Sequence, residues 1–207
     1  PDRVLNAALG SGLALLAYVL WPSWERHRAR NALSDMLCAY ADYLDALVVP
    51  ADAGRRHEVR MATRTARTNA LASVDRMRTE PGTPGVLQEL AETLYANGNR
   101  LARTAMTLEA LIDMGDVPED WKYVGPFIHE ASVELRRQVE ALSRTEGIPM
   151  PHVLREHQRN LVEAVSRGKD RELAEAVGCI TDRRTDNVET IAHVVTRRSV
   201  APMEERA

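Results

Sequence analysis

Between Leu87 and Ile112 the apolar and small residues fall on Leu87, Ala91, Leu94, Gly98, Leu101, Ala105, Leu108 and Ile112, stepping four and three without a slip. That spacing keeps one face of an α-helix turned toward a partner, whereas a strand would repeat every second residue. Most of such a helix's stability comes from burying that face, so the rest of the chain has to supply other helices.

The same rhythm recurs along the chain. Leu33, Leu37, Tyr40, Leu44 and Leu47 make a first stripe, which Val49, Pro50 and Gly54 break. A second helix is predicted from Arg56 to Arg78 with a small inward face of Val59, Ala62, Ala66, Ala70, Ser73 and Met77, stopped by the Pro/Gly-rich run 80–85. After the Leu87–Ile112 helix, the stretch 115–125 reads as a structured connection and a sub-boundary. Helices are then expected over 127–145 (Ile128, Ala131, Leu135, Val139, Leu142), 153–167 and 170–198 (Leu173, Val177, Ile180, Val188, Ile191, Val195). No window alternates like a strand, so the predicted class is all-α, an antiparallel bundle of five or six helices.

Upstream of the bundle, the run from Val4 to Trp24 carries no charge. About 20 such residues span the hydrocarbon core of a bilayer at about 1.5 Å per residue. Trp21 and Trp24 read as interface anchors, and Arg26, Arg28 and Arg30 place the downstream end in the cytoplasm. A signal peptide fits poorly, since no basic start or small-residue cleavage site frames the run. The expectation is therefore one N-terminal transmembrane helix (1–24) followed by a cytoplasmic helical domain (25–207). Ala8 with Gly12 and Gly10 with Ala14 set small residues four apart, suiting close packing against neighbouring membrane helices, with a plain anchor as the alternative. Asn6 and Ser11 read as helix-to-helix hydrogen-bonding groups, with the lining of a transport path as the alternative. The chain opens on Pro1, not Met, and is read as the C-terminal piece of a longer reading frame.

The sequence carries few of the patterns that chemistry requires. The formal net charge is -3, with 27 basic against 30 acidic residues and no block of one sign, so nucleic acid is not an expected partner. Cys38 and Cys179 have no neighbouring cysteine and are expected to be reduced, buried thiols. His129–Glu130 starts like a zinc-protease helix, but Val133 stands where the second histidine should be, and His152 and His157 fall on different helix faces. No phosphate loop, nucleophile elbow or deaminase pattern occurs. The chain is accordingly read as non-enzymatic, with no cofactor and no metal. Trp121, Tyr123 and Phe127 read as an aromatic plug over the bundle end, a ligand-stacking box being the alternative.

The second helix is unusually basic, with Arg55, Arg56, Arg60, Arg64, Arg67, Arg76 and Arg78 against Glu58 and Asp75. Arg60, Arg64 and Arg67 share one stripe. Its structural reading is pairing with Asp35, Asp42, Asp45, Glu89 or Glu92 on neighbouring helices. Its functional readings are contact with anionic lipid headgroups or with an anionic substrate.

Two segments carry a family resemblance. Residues 14–25, ALLAYVLWPSWE, and residues 66–81, ARTNALASVDRMRTEP, resemble the FUSC family of bacterial inner-membrane proteins, the fusaric acid resistance-like or aromatic acid exporters. In the second segment the family-like positions are Arg67, Asn69, Ala70, Ser73, Arg76, Glu80 and Pro81, for which a structural role is expected. The likeness covers residues 3–115 and beyond that is one of helical character only. The resemblance implies a membrane bundle ending in a W-P helix and followed by a cytoplasmic helical domain, localisation to the bacterial inner membrane, and efflux of aromatic carboxylates or similar organic anions. Implied partners are the lipid bilayer, upstream membrane helices of the same protein, a homo-oligomeric copy and the small organic anion. The alternative is a membrane-anchored assembly module, in which the Leu87–Ile112 and Leu173–Val195 stripes drive oligomerisation and nothing is transported.

Overall fold

A computed structural model describes residues 10–13, 24–48, 52–80, 83–113, 121–143, 152–166 and 171–200. Among them the regular structure is helical throughout: α1 (Trp24–Val48), α2 (Ala53–Thr79), α3 (Gly85–Asp113), α4 (Trp121–Ser143), α5 (His152–Ser166) and α6 (Arg171–Val200), with residues 10–13 also helical. No helix among the described residues is long and apolar enough to cross a membrane. The predicted membrane run Val4–Trp24 lies outside the described residues apart from 10–13 and the first residue of α1.

Local chemistry sets the helix ends. Asp52 caps α2 by accepting the Arg55 N–H on its side chain at 2.9 Å, while its carbonyl takes the Arg56 N–H at 3.1 Å. At the other end Glu80 is extended (φ -76, ψ 122), as the residue before a proline must be, so the helix stops at Thr79. The Pro84 carbonyl accepts the first N–H groups of α3, from Leu87 at 3.0 Å and Gln88 at 3.3 Å.

α1 lies at the centre, packed against α2, α3 and α4, and α6 closes the far side against α3, α4 and α5. Three neighbours explain why α1 buries far more than a stripe: Leu33, Met36, Leu37, Tyr40, Tyr43, Leu44 and Leu47 are all at most 4% exposed. Side-chain registers show the alternating directions. Ala29 and Leu33 meet Leu87, Leu94, Met77 and Leu142 at one end, and Gly125 meets Val48 at the other. One continuous core draws on all six helices, from Ala29 to Ile191. Midway, α1 and α3 cross at Gly98, where an added Cβ would stand 2.8 Å from Met36 Cε and 2.9 Å from Tyr40 Cε2.

Four expectations need correcting. α4 begins at Trp121 and not Phe127, with Pro126 inside it. So near a helix start the proline forfeits little more than one backbone bond, against which Val124, Phe127 and Ile128 bury completely or nearly so. On α2, Ala62 faces solvent and Thr63 is buried instead, its hydroxyl donating to the Val59 carbonyl at 2.7 Å. The α6 stripe passes through Thr181 and Thr185, both fully buried, which an apolar pattern cannot register; their hydroxyls donate to the Gly178 and Thr181 carbonyls. Neither cysteine is buried: Cys38 is half-buried on the flank of α1, and Cys179 faces solvent opposite the buried side of α6. Partial burial, with the negative charges of Asp42 and Asp35, pushes the Cys38 thiol pKa up, so it is a poor nucleophile. Of the aromatic trio, Phe127 is core, while the side chains of Trp121 and Tyr123 lie outside the described residues.

Candidate functional site

The arginine stripe of α2 does not act as one unit. Arg60 turns inward and pairs with Glu109 of α3, Nη1 to Oε2 at 3.3 Å. Arg67 lies close enough to Tyr40 of α1 for its charge to favour the phenolate, although burial dominates and pushes the Tyr40 pKa well above its usual value. Arg64 is exposed and has no ion pair among the described residues. Of the expected acidic partners, Glu92 does pair with an arginine of α2, Arg78 at 3.3 Å, whereas Asp42 and Asp45 are engaged by Arg136 of α4.

The family-like positions are distributed by helix geometry. Ala70 and Ser73 are buried against the core, and Arg76 donates to the Ser73 hydroxyl at 3.0 Å. Asn69 is exposed, Glu80 caps the helix end with its N–H on the Met77 carbonyl, and Pro81 lies outside the described residues.

Arg60 belongs to a buried polar cluster where α1, α2 and α3 meet. Glu109 is 5% exposed, accepts the Tyr43 hydroxyl at 2.6 Å and has Arg56 Nε at 3.9 Å. Arg56 is itself 4% exposed. A carboxylate this deep is tolerable only when paired and hydrogen-bonded, and here two guanidinium groups and a hydroxyl answer it. The arrangement ties three helices together and leaves no open coordination.

A second cluster links α1 to α4. Arg136 Nη2 bridges Asp42 Oδ1 at 2.7 Å and Asp45 Oδ2 at 2.8 Å, and Ser132 and His129 both meet Asp45 Oδ1. These hydrogen bonds hold the Arg136 pKa above its usual value despite partial burial, which acts to lower it. Serine, histidine and aspartate thus sit together, but in the wrong order for nucleophilic catalysis. The Ser132 hydroxyl shares its one proton between the Asp45 carboxylate and the His129 carbonyl, the latter at 2.7 Å, and does not meet the imidazole, so the histidine cannot act as its base.

On the opposite side of the bundle, α3 and α6 frame a groove of about 420 Å³ lined by Asn97, Arg100, Arg103 and Thr104 from α3 and by Arg183, Asp186, Asn187 and Thr190 from α6. Asp186 is engaged by Arg155 of α5 at 2.6 Å, and the same guanidinium takes Asp182 at 2.8 Å and Glu189 at 2.7 Å. The hydrogen bonds that Arg155 donates to Glu189 and Asp186 raise its pKa beyond the usual value. These groove residues went unnoticed in the apolar pattern. The signal was a second, polar stripe beside the first, with Asn97, Arg100 and Thr104 on one helix and Arg183, Asp186, Asn187 and Thr190 on the other, each at helical spacing.

Among the described residues no three His, Cys, Asp or Glu side chains gather as a metal ion would need. Compared with protein-family models, with curated proteins and with solved structures, the chain matches none.

Proposed function

We propose that this chain is the C-terminal part of a FUSC-type inner-membrane exporter of aromatic carboxylates or similar organic anions, residues 1–24 forming its last transmembrane helix and the remainder a cytoplasmic helical domain. The observation that carries the reading is the junction. An uncharged run long enough to span a bilayer leads directly into α1, which starts at Trp24 and sets Arg26, Arg28 and Arg30 in its opening turns. A spanning segment followed at once in sequence by the central helix of a packed domain would connect a pore to a cytoplasmic body.

The reading is favoured over the assembly module because the stripes that the module would use are occupied. Leu94, Leu101 and Leu108 of α3 and Val188 and Ile191 of α6 are buried within this chain, so the described part of each stripe is already covered. Of the arginine stripe, only Arg64 and Arg67 remain for anionic headgroups or substrate, since Arg60 is committed to Glu109.

The test has two arms. Membrane fractionation should recover the full chain in the membrane, and a soluble full chain overturns the anchor. Cells carrying the complete parent gene should tolerate more fusaric or hydroxybenzoic acid than cells with an empty vector. Arg64→Gln with Arg67→Gln should lower that tolerance at unchanged protein level. No protection by the native gene across a broad aromatic-acid panel overturns the exporter reading.

A further inference from the structure

The α3–α6 groove combines uncommitted cations with a space of ligand size. Arg100, Arg103 and Arg183 line it, and none has an ion pair among the described residues. Asn187, on its wall, is only 8% exposed, yet its side-chain amide makes no hydrogen bond among the described residues. The amide itself is not sealed off: it opens on the groove, where its donors are free to meet a ligand. By contrast, the hydroxyls of Thr104 and Thr190 already donate to their own helices, to the Arg100 carbonyl at 3.0 Å and the Asp186 carbonyl at 2.7 Å. They retain lone pairs but no free donor proton. The volume, about 420 Å³, falls within the range of about 300–1,000 Å³ usual for small-molecule pockets.

The charge pattern selects the ligand. Asp186 borders the groove, but Arg155 holds it together with Asp182 and Glu189, so those carboxylates are engaged from the α5 side. Three guanidinium groups therefore face the space with their own counter-charge missing. A single carboxylate brings one negative charge, whereas a phosphomonoester brings about 1.5 to 2 at neutral pH, with three oxygens that suit the guanidinium fork. Among the described residues no aromatic ring lines the groove, which leaves a nucleobase without a stacking platform. Asn97 lies about 18 Å along α3 from Gly85 at about 1.5 Å per residue, so the groove is set well back from the end of the bundle where α1 begins. That position favours a ligand in solution over one in a membrane surface.

We propose that the groove between α3 and α6 binds a small soluble phosphomonoester, with Arg100, Arg103 and Arg183 gripping the phosphate oxygens and Asn187 donating from the wall. The proposal stands whether or not the chain is part of an exporter.

Isothermal titration calorimetry of the full chain tests it, using glycerol 3-phosphate, inorganic phosphate and sulfate at matched ionic strength, beside sedimentation with vesicles containing phosphatidic acid. The expected result is saturable binding of glycerol 3-phosphate, tighter than sulfate, weakened at least tenfold in Arg100→Gln/Arg183→Gln and weakened in Asn187→Leu. The arginines are exposed, so the double variant should keep its circular dichroism and melting temperature; if it does not, Arg103→Gln alone serves as the second variant, with weaker binding expected. Absence of saturable binding, binding indifferent to these substitutions, equal binding of sulfate, or variant-sensitive binding to vesicles alone each overturns the proposal.

Discussion

Glu109 offers the most direct test of how the helices are held together. Replacing it by Leu removes the acceptor of the Tyr43 hydroxyl at 2.6 Å and a carboxylate that Arg56 and Arg60 both meet. Breaking a buried ion pair from one side typically costs about 3–5 kcal/mol, because the remaining charge stays desolvated. A surface pair would cost at most about 1 kcal/mol. Arg60 is partly exposed and can swing toward water, whereas Arg56 at 4% exposure stays in the interior, so the loss should exceed that of a surface pair. The reverse follows for a paired replacement: Glu109→Leu with Arg56→Met exchanges charge for apolar bulk and should recover at least half of the loss. Urea denaturation of the full chain in mild detergent, followed by helical circular dichroism, measures both. A loss below about 1 kcal/mol for the single variant, or a double variant no more stable than the single, would refute the account of a desolvated cluster.

Three further outcomes are expected. Gly98→Ala gains about 1 kcal/mol of helix propensity but forces the buried Tyr40 ring aside, an overpacking worth about 1–3 kcal/mol, so thermal unfolding should show net destabilisation; a higher melting temperature would mean that the helices do not cross closely there. Ala70→Leu, at a fully buried position of α2, should cost about 1–3 kcal/mol by the same route, and an unchanged melting temperature would place that face in solvent. Burial pushes the Glu134 carboxyl pKa up, against the opposing hydrogen bonds from Gln138 and Arg137, so the folded state holds this proton more tightly than the unfolded chain does. Its contribution is favourable below the ordinary carboxylate range and fades as pH rises through the raised value, hence Glu134→Gln should stabilise the chain at pH 8 but hardly at pH 4; a variant less stable at both would contradict this.

The helices were legible because their signals are local. The step of four and three from Leu87 to Ile112 needs no knowledge of what it packs against, and Glu80 before Pro81 announces an end by sterics alone. What stayed hidden depends on neighbours. Thr181, Thr185 and Thr63 are core residues whose hydroxyls are answered by their own helix, so a pattern that counts only apolar side chains passes over them. Glu109 reads as one more charge on a helix until Tyr43, 66 positions away, is found beside it. The groove is of the same kind, since its two polar stripes become a site only once α3 and α6 lie side by side. The arginine stripe was visible as a pattern, but its division into paired Arg60 and unpaired Arg64 was not.

The central place of α1 also sets a sequence of events for the growing chain. Its faces toward α2 and α3 find partners in the helices that follow at once, but its remaining face waits for α4: the Arg136–Asp42 bridge closes over 94 positions. At about 5–20 residues per second on the ribosome, that face stays bare for several seconds after α1 is made. A long apolar helix side held open for so long invites wrong pairings, either within the chain or between nascent chains. Polypeptides released before Ser143 would carry this unfinished surface, whereas those released just beyond it have covered it. The ring of charges along that seam, Asp42 and Asp45 awaiting Arg136, keeps its rim hydrated during the delay.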